Sequence, residues 1–201
     1  MLGPAYTTTP PPTAARRDKR EAILDAALAL FCEHTFDGTP VPLIAERAGV
    51  GAGTIYRYFD SKEALGNAVY RRAKRELQRY LVDEAPRGVP LRDEFSHWWH
   101  ALWRYAADEP LAFSFLETHH HAPYLDAESC TAGAAIFEAA RSLIRRAQRA
   151  GAVRRVDPDA LIAMVFGAFT GLVKSAADGH IAPSPKTIAE TEERIWRMLS
   201  A

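Results

Sequence analysis

Three features of the sequence predict an all-α fold of about nine helices. Apolar residues recur at helical spacing in nearly every stretch after Arg16. Those stretches are separated by Gly, Pro and Asp, which stop or start helices. No segment alternates apolar and polar residues over the length of a strand, and no internal repeat is found. With 201 residues, 48% of them hydrophobic, the chain can bury a substantial core, which excludes disorder for most of it.

Residues 1–15 are Pro/Thr-rich with nothing to bury, and are expected to form a disordered tail. From Arg16, ARRDKREAILDAALALFCEH places Ile23, Ala27, Leu30 and Phe31 at helical spacing and stops near Gly38. A short second helix is expected over about Pro40 to Ala48, with Thr39 as N-cap and Gly49 as stop signal. A further short helical segment covers Ala52 to Phe59. The next helix runs from Lys62 to about Val82, with Leu65, Val69, Ala73 and Leu77 four residues apart.

After the break APRGVP at 85–90, a helix from Leu91 has a wide apolar surface carrying Phe95, Trp98, Trp99, Leu102 and Trp103, and it ends at Asp108-Glu109-Pro110. Leu111 to about His119, Thr131 to Ala150, Pro158 to Ala177 and Pro185 to Leu199 complete the set. The expected organisation is a tail over 1–15, a three-helix unit over 16–62 and a larger helical unit over 63–201.

Charge and cysteine usage narrow the class. The net charge is +0, yet residues 16–80 carry 12 Lys/Arg against 9 Asp/Glu while the remainder carries 13 against 16, so positive potential lies on the N-terminal third. Cys32 and Cys130 have neither CxxC spacing nor a disulfide framework, which suits a reducing cytoplasm. The N-terminus holds no apolar run of the signal-peptide kind, and the longest uncharged apolar window, Ala160 to Val173, is shorter than the ~20 residues of a membrane span. A soluble cytoplasmic protein is expected.

The stretch GVGAGTIYRYF, Gly49 to Phe59, admits two chemistries. Alternate glycines before a threonine can cradle a nucleotide phosphate, but that loop must follow a buried strand, and here LIAERA precedes it and no GK[ST] is present. The spacing fits instead two short helices joined by a glycine turn, the arrangement that sets its second helix in a DNA major groove. Ile44, Ala45 and Ala48 then face inward and Val50 and Ile55 fill the space between the helices. Ala52, Gly53, Thr54, Tyr56, Arg57 and Tyr58 are left facing out. Small residues allow close backbone approach, while hydroxyls and a guanidinium suit phosphates and base edges.

The run GTPVPLIAERAGVGAGTIYRYFDSKEAL resembles the DNA-binding signature of the tetracycline-repressor (TetR) family of bacterial transcriptional regulators, over about residues 17 to 65. The resemblance implies that Thr39, Thr54, Tyr56, Tyr58 and Lys62 touch the phosphate backbone and that Ala52, Gly53, Thr54 and Arg57 approach bases. Gly51 and Ala52 stand where the family often has a polar pair, so base reading leans on Arg57 and Thr54. Pro40 replaces a hydroxyl residue common beside Thr39, removing one potential phosphate donor.

Other features carry two readings each. Arg16, Arg17, Lys19 and Arg20 are either an arm along the DNA or a solvated helix start. Arg71, Arg72, Lys74 and Arg75 fit a solvated helix face better than a contact surface. Consecutive His119, His120 and His121 point in three directions on a helix and lack the spacing of a metal site, so no metal is expected; one of them lining a ligand pocket is the alternative. Trp99, Trp103, Phe113, Phe137, Phe166 and Phe169 are either core or, as the resemblance implies, part of a pocket for a small hydrophobic effector. Ala160 to Val173 has no polar face and must be covered on both sides. It either is the central buried helix of a monomer or, with the last helix, resembles the family's dimerising interface, helices 158–177 and 185–199.

The expectation is therefore a homodimeric, ligand-responsive repressor on a palindromic double-stranded DNA operator, without a cofactor or membrane attachment. An all-α enzyme is the competing class, and no nucleophile with a base or paired carboxylates supports it.

Overall fold

The structure, a computed structural model, describes residues 12–118, 121 and 123–200. Among these the regular elements are α1 (Pro12–His34), α2 (Val41–Arg47), α3 (Ala52–Tyr56), α4 (Lys62–Gln78), α5 (Leu91–Asp108), α6 (Pro110–Thr118), α7 (Ala127–Arg149), α8 (Pro158–Ala177) and α9 (Pro185–Leu199). A π-helical turn, Arg79–Asp83, follows α4, and one isolated bridge joins Val153 to Ser200. The fold is all-α as the periodicity predicts. Residues 1–11 of the expected tail lie outside the described residues, while residues 12–15 are helical, since Pro suits a first turn and the alanines after it favour helix. Two units are distinguished: residues through Tyr70 with Ser114–Leu125, and Arg71–Phe113 with Asp126 onward.

In the first unit, Ile23, Leu24, Ala27, Leu30 and Phe31 of α1 are fully buried with Ile44 of α2 and Ile55 of α3. Gly49 has φ +65°, the left-handed conformation that ends α2 and lets the Val50 N–H reach the Ala45 carbonyl at 2.9 Å. Thr39 does not cap α2. Pro40 occupies the N-cap position without a side-chain bond. Thr39 is fully buried, and its hydroxyl is shared between the carbonyls of Thr35 (2.7 Å) and Leu30 (3.2 Å). Phe115, His121 and Tyr124, among the described residues of 114–125, pack into the same unit. The Tyr124 ring stacks on Phe36 with centroids 4.0 Å apart, and Asn67 Nδ2 donates to the Tyr124 carbonyl at 2.7 Å. A Cβ at Gly66 would lie 2.7 Å from the Phe36 ring, so this close stacking requires glycine.

The second unit is tied by polar links between elements distant in sequence. Arg71 donates to Asp126 at 2.9 Å and to Ser129 Oγ at 3.0 Å, so it braces α7 and is not a solvated cation. Arg92 on α5 pairs with Glu192 and, at 3.2 Å, with Glu193 on α9, and its guanidinium lies over the Trp196 ring. α8 is 20 residues long, and by length and composition could cross a membrane, a greater length than the uncharged window alone suggests. Only Leu161 and Phe169 along it are buried.

Candidate nucleic-acid interface

α3 is held from behind and bare in front. Ile55 is its buried residue, and Phe59, buried just beyond it, carries the Arg20 guanidinium over its ring at 5.4 Å. The helix is shorter than the sequence suggests. It ends at Tyr56, and the chain turns through Arg57 to Phe59 with amide bonds to Thr54 and Ile55. On the outer side Ala52, Gly53, Tyr56 and Arg57 are exposed, and Thr54 and Tyr58 are half-buried. Tyr56 is 53% exposed, unusual for so large an apolar body. The Arg57 side chain makes no hydrogen bond or ion pair with the described residues, so its fork of donors is available. A Cβ at Gly53 would meet nothing within 4 Å. The fold itself therefore does not require glycine there, although glycine inside a helix costs about 1 kcal/mol against alanine. Close approach of an external body gives it a reason.

Lys62 sits at the start of α4 with its ammonium over the Phe36 ring at 4.6 Å and donating to the Asp37 carbonyl at 3.3 Å. Two of its three donors remain for a phosphate. Thr39, another expected phosphate contact, is instead fully buried. Its hydroxyl supports the corner between α1 and α2 from inside, because a buried hydroxyl must be paired and the carbonyls of Leu30 and Thr35 supply the partners.

Sequence reasoning missed a positioning pair. Arg47 on α2 grips Glu33 on α1 through two parallel bonds, Nη1 to Oε1 at 2.5 Å and Nη2 to Oε2 at 2.9 Å. This contact holds the Glu33 carboxyl below the usual carboxylate range, through the hydrogen bond first and the charge of Arg47 second. Nothing in a separation of 14 residues announces such a pair.

His121 is buried. Its Nε2 lies 2.8 Å from the Phe115 carbonyl and its Nδ1 2.6 Å from the Tyr124 hydroxyl. A carbonyl only accepts, so Nε2 donates to Phe115, and in the neutral ring Nδ1 accepts from Tyr124. Burial, then the nearby Tyr70 and Asp37, push the Tyr124 phenol well above its ordinary range, which suits a phenol that donates. These bonds give His121 a structural role. His119 and His120 lie outside the described residues, and among those described no group of three His, Cys, Asp or Glu is placed to hold a metal.

In the second unit the expected pocket residues divide. Phe169 is fully buried, with ring centroids of Trp99 at 6.0 Å, Trp103 at 5.5 Å, Phe113 at 5.8 Å and Phe166 at 6.1 Å around it. Phe137 stands outside this cluster, on α7 and 45% exposed. Its position in α7 turns the ring outward, away from the other five.

Residues 23–69 match the family profile described as bacterial regulatory proteins, tetR family, and residues 70–201 match that of the tetracyclin repressor-like C-terminal domain. The transcriptional regulator RutR of Escherichia coli is 32% identical over 175 residues, covering 83% of this chain and 79% of that protein. The transcriptional repressor KstR2 of Rhodococcus jostii is 39% identical over 66 residues, 31% of this chain and 32% of the repressor. A crystal structure of a TetR family transcription regulator from Marinobacter aquaeolei superposes with a TM-score of 0.85 at 23% identity, over 94% of this chain and 98% of that one.

Proposed function

The chain belongs to the TetR family of bacterial transcriptional regulators, DNA-binding proteins and not enzymes, whose C-terminal domain characteristically binds ligands. From that premise we propose that it is a repressor that binds a palindromic operator as a homodimer and is released by a small, hydrophobic effector. The observation that carries the reading is the face of α3, where Tyr56 and an unpaired Arg57 project beside a glycine that the fold does not need. Each subunit would set Ala52 to Tyr58 in a major groove. Arg57 and Thr54, with the methyl of Ala52 and the close backbone at Gly53, would read bases. Thr54, Tyr56, Tyr58 and Lys62 would hold phosphates, giving strong salt dependence. Two-fold symmetry then calls for half-sites separated by multiples of ~10 bp.

The partner subunit would cover α8 and α9. An apolar helix of 20 residues with 11% of its apolar window buried leaves a surface that water disfavours. Met164 is half exposed, and Gly167 and Gly171 have open space where a Cβ would stand, so a second backbone can come close. A second reading, favoured by the same length and apolarity, has α8 cross a membrane. Against it, α8 begins at the Asp157 cap, with Asp159 paired to Arg141 of α7. A dimer acting on DNA belongs in the cytoplasm.

Release would be a population shift in which the effector binds the two conformations differently, with α4, continuous across both units, as lever. Sedimentation tests the assembly: the detergent-free protein should run as a dimer and join duplex DNA as whole dimers. A monomer at micromolar concentration, or a protein soluble only in detergent, would refute it.

A further inference from the structure

Among the described residues the indole N–H of Trp103 is the buried side-chain donor without a hydrogen-bond partner. Its neighbours on α5 and nearby elements are served. The Trp99 indole N–H donates to the Ile188 carbonyl at 3.2 Å, the Tyr105 hydroxyl to the Ala73 carbonyl at 3.2 Å and the Tyr80 hydroxyl to Asp108 at 2.8 Å. A unit that satisfies its other buried donors and leaves one bare calls for an explanation. Trp103 meets Phe169 edge to face at 86°, so a ring face is the most this contact can offer its N–H, and that repays little of the lost hydration. The cluster is closed on its inner side by Trp99 and Phe169, which are fully buried, and on its outer side by Phe113 and Phe166, which are half-buried and can turn aside.

We propose that the Trp103 indole N–H is the hydrogen-bond donor for a carbonyl oxygen on an uncharged, flat, apolar effector that enters by displacing the rings of Phe113 and Phe166. This deepens the proposed function and rests on its reading of the second unit as effector-binding. The ligand is uncharged because the surrounding rings offer no countercharge, and a carboxylate among them would be desolvated without a partner. It is flat because it takes the place of rings among rings. It carries a carbonyl because a lone N–H asks for one acceptor. The same contact supplies the differential interaction that release needs. The closed arrangement leaves the donor bare and the occupied one satisfies it, so the ligand favours the occupied conformation.

The test compares two compounds of nearly the same shape, 2-acetylnaphthalene, which has the carbonyl, and 2-ethylnaphthalene, which lacks it. Full-length protein labelled with 15N at its 4 tryptophans gives indole resonances, and loss of one in Trp103→Phe assigns it. The ketone should bind about tenfold more tightly than the hydrocarbon and shift the Trp103 resonance. Replacing Trp103 with 3-benzothienylalanine, which keeps the shape and exchanges N–H for sulfur, should abolish that advantage and leave the hydrocarbon's affinity unchanged. The replaced protein should also melt no lower than wild type, since no native hydrogen bond is lost. Equal binding of the two compounds, an advantage that survives the replacement, or a fall in melting temperature would each overturn the donor assignment alone. If neither compound binds, the effector reading of the unit falls with it.

Discussion

The α3 surface and the α8 surface are both left open by the fold, but in opposite chemistry. α3 buries Ile55 and presents hydroxyls, a guanidinium and bare backbone. α8 buries Leu161 and Phe169 and presents methyls, a thioether and glycines. Polar groups held in place on a small helix gain by exchanging water for phosphates and base edges, a contact that salt weakens. An apolar helix gains by losing water altogether, a contact that salt does not weaken. On the proposed reading the two surfaces take different partners, a duplex for α3 and a second subunit for α8.

The largest effect should come from charging the apolar surface. Met164→Arg places a cation where the partner is expected. Sedimentation should then find monomers, and operator affinity should fall about a hundredfold or more as two linked half-sites become one. Next is Ile55→Ala, which removes the buried anchor of α3. Thermal denaturation should register about 2–5 kcal/mol, with the dimer intact. Arg57→Ala leaves the fold alone, so titration on an operator should lose about 1–3 kcal/mol and accept more sequences. Lys62→Ala should weaken all sequences alike and reduce the salt slope by about one ion.

Thr39→Val tests whether the buried hydroxyl serves the fold or a phosphate. It should lower stability by about 1 kcal/mol while the salt slope of DNA binding stays unchanged. A slope reduced by about one would return Thr39 to the phosphate contacts. The smallest effect concerns pH. Because Arg47 depresses the folded-state value of the Glu33 carboxyl, their pair adds stability above the unfolded value of about 4.3 that is lost as pH falls through the lower folded value. The stability of Glu33→Gln, followed by circular dichroism between pH 5 and 2, roughly that window, should decline less steeply than that of wild type.

Much of the first unit is legible in the sequence because its information is local. Gly49 sets the turn, Ile44 and Ile55 fix the inward faces, and the G-T-I-Y-x-Y-F run carries the resemblance within a few residues. Thr39 was misleading because a hydroxyl next to a proline signals a cap, whereas its carbonyl partners include Leu30, 9 residues earlier. The Arg47–Glu33 and Arg71–Asp126 pairs, and the docking of Tyr124 on Phe36, depend on chain reversals that no periodicity encodes. In the second unit the sequence marks the aromatics but not their sorting. Phe169 and Phe137 are alike in sequence, yet one is the hub of the cluster and the other faces out.

Whether Ala52 to Tyr58 reads a two-fold operator can be decided by selecting bound duplexes from random DNA with the wild-type protein and Arg57→Ala in parallel. Wild type should recover a palindrome with half-sites about one or two helical turns apart, and the variant the same spacing with degenerate bases at symmetric positions. Recovery of no palindrome, or of one that Arg57→Ala leaves unchanged at every position, would contradict that reading.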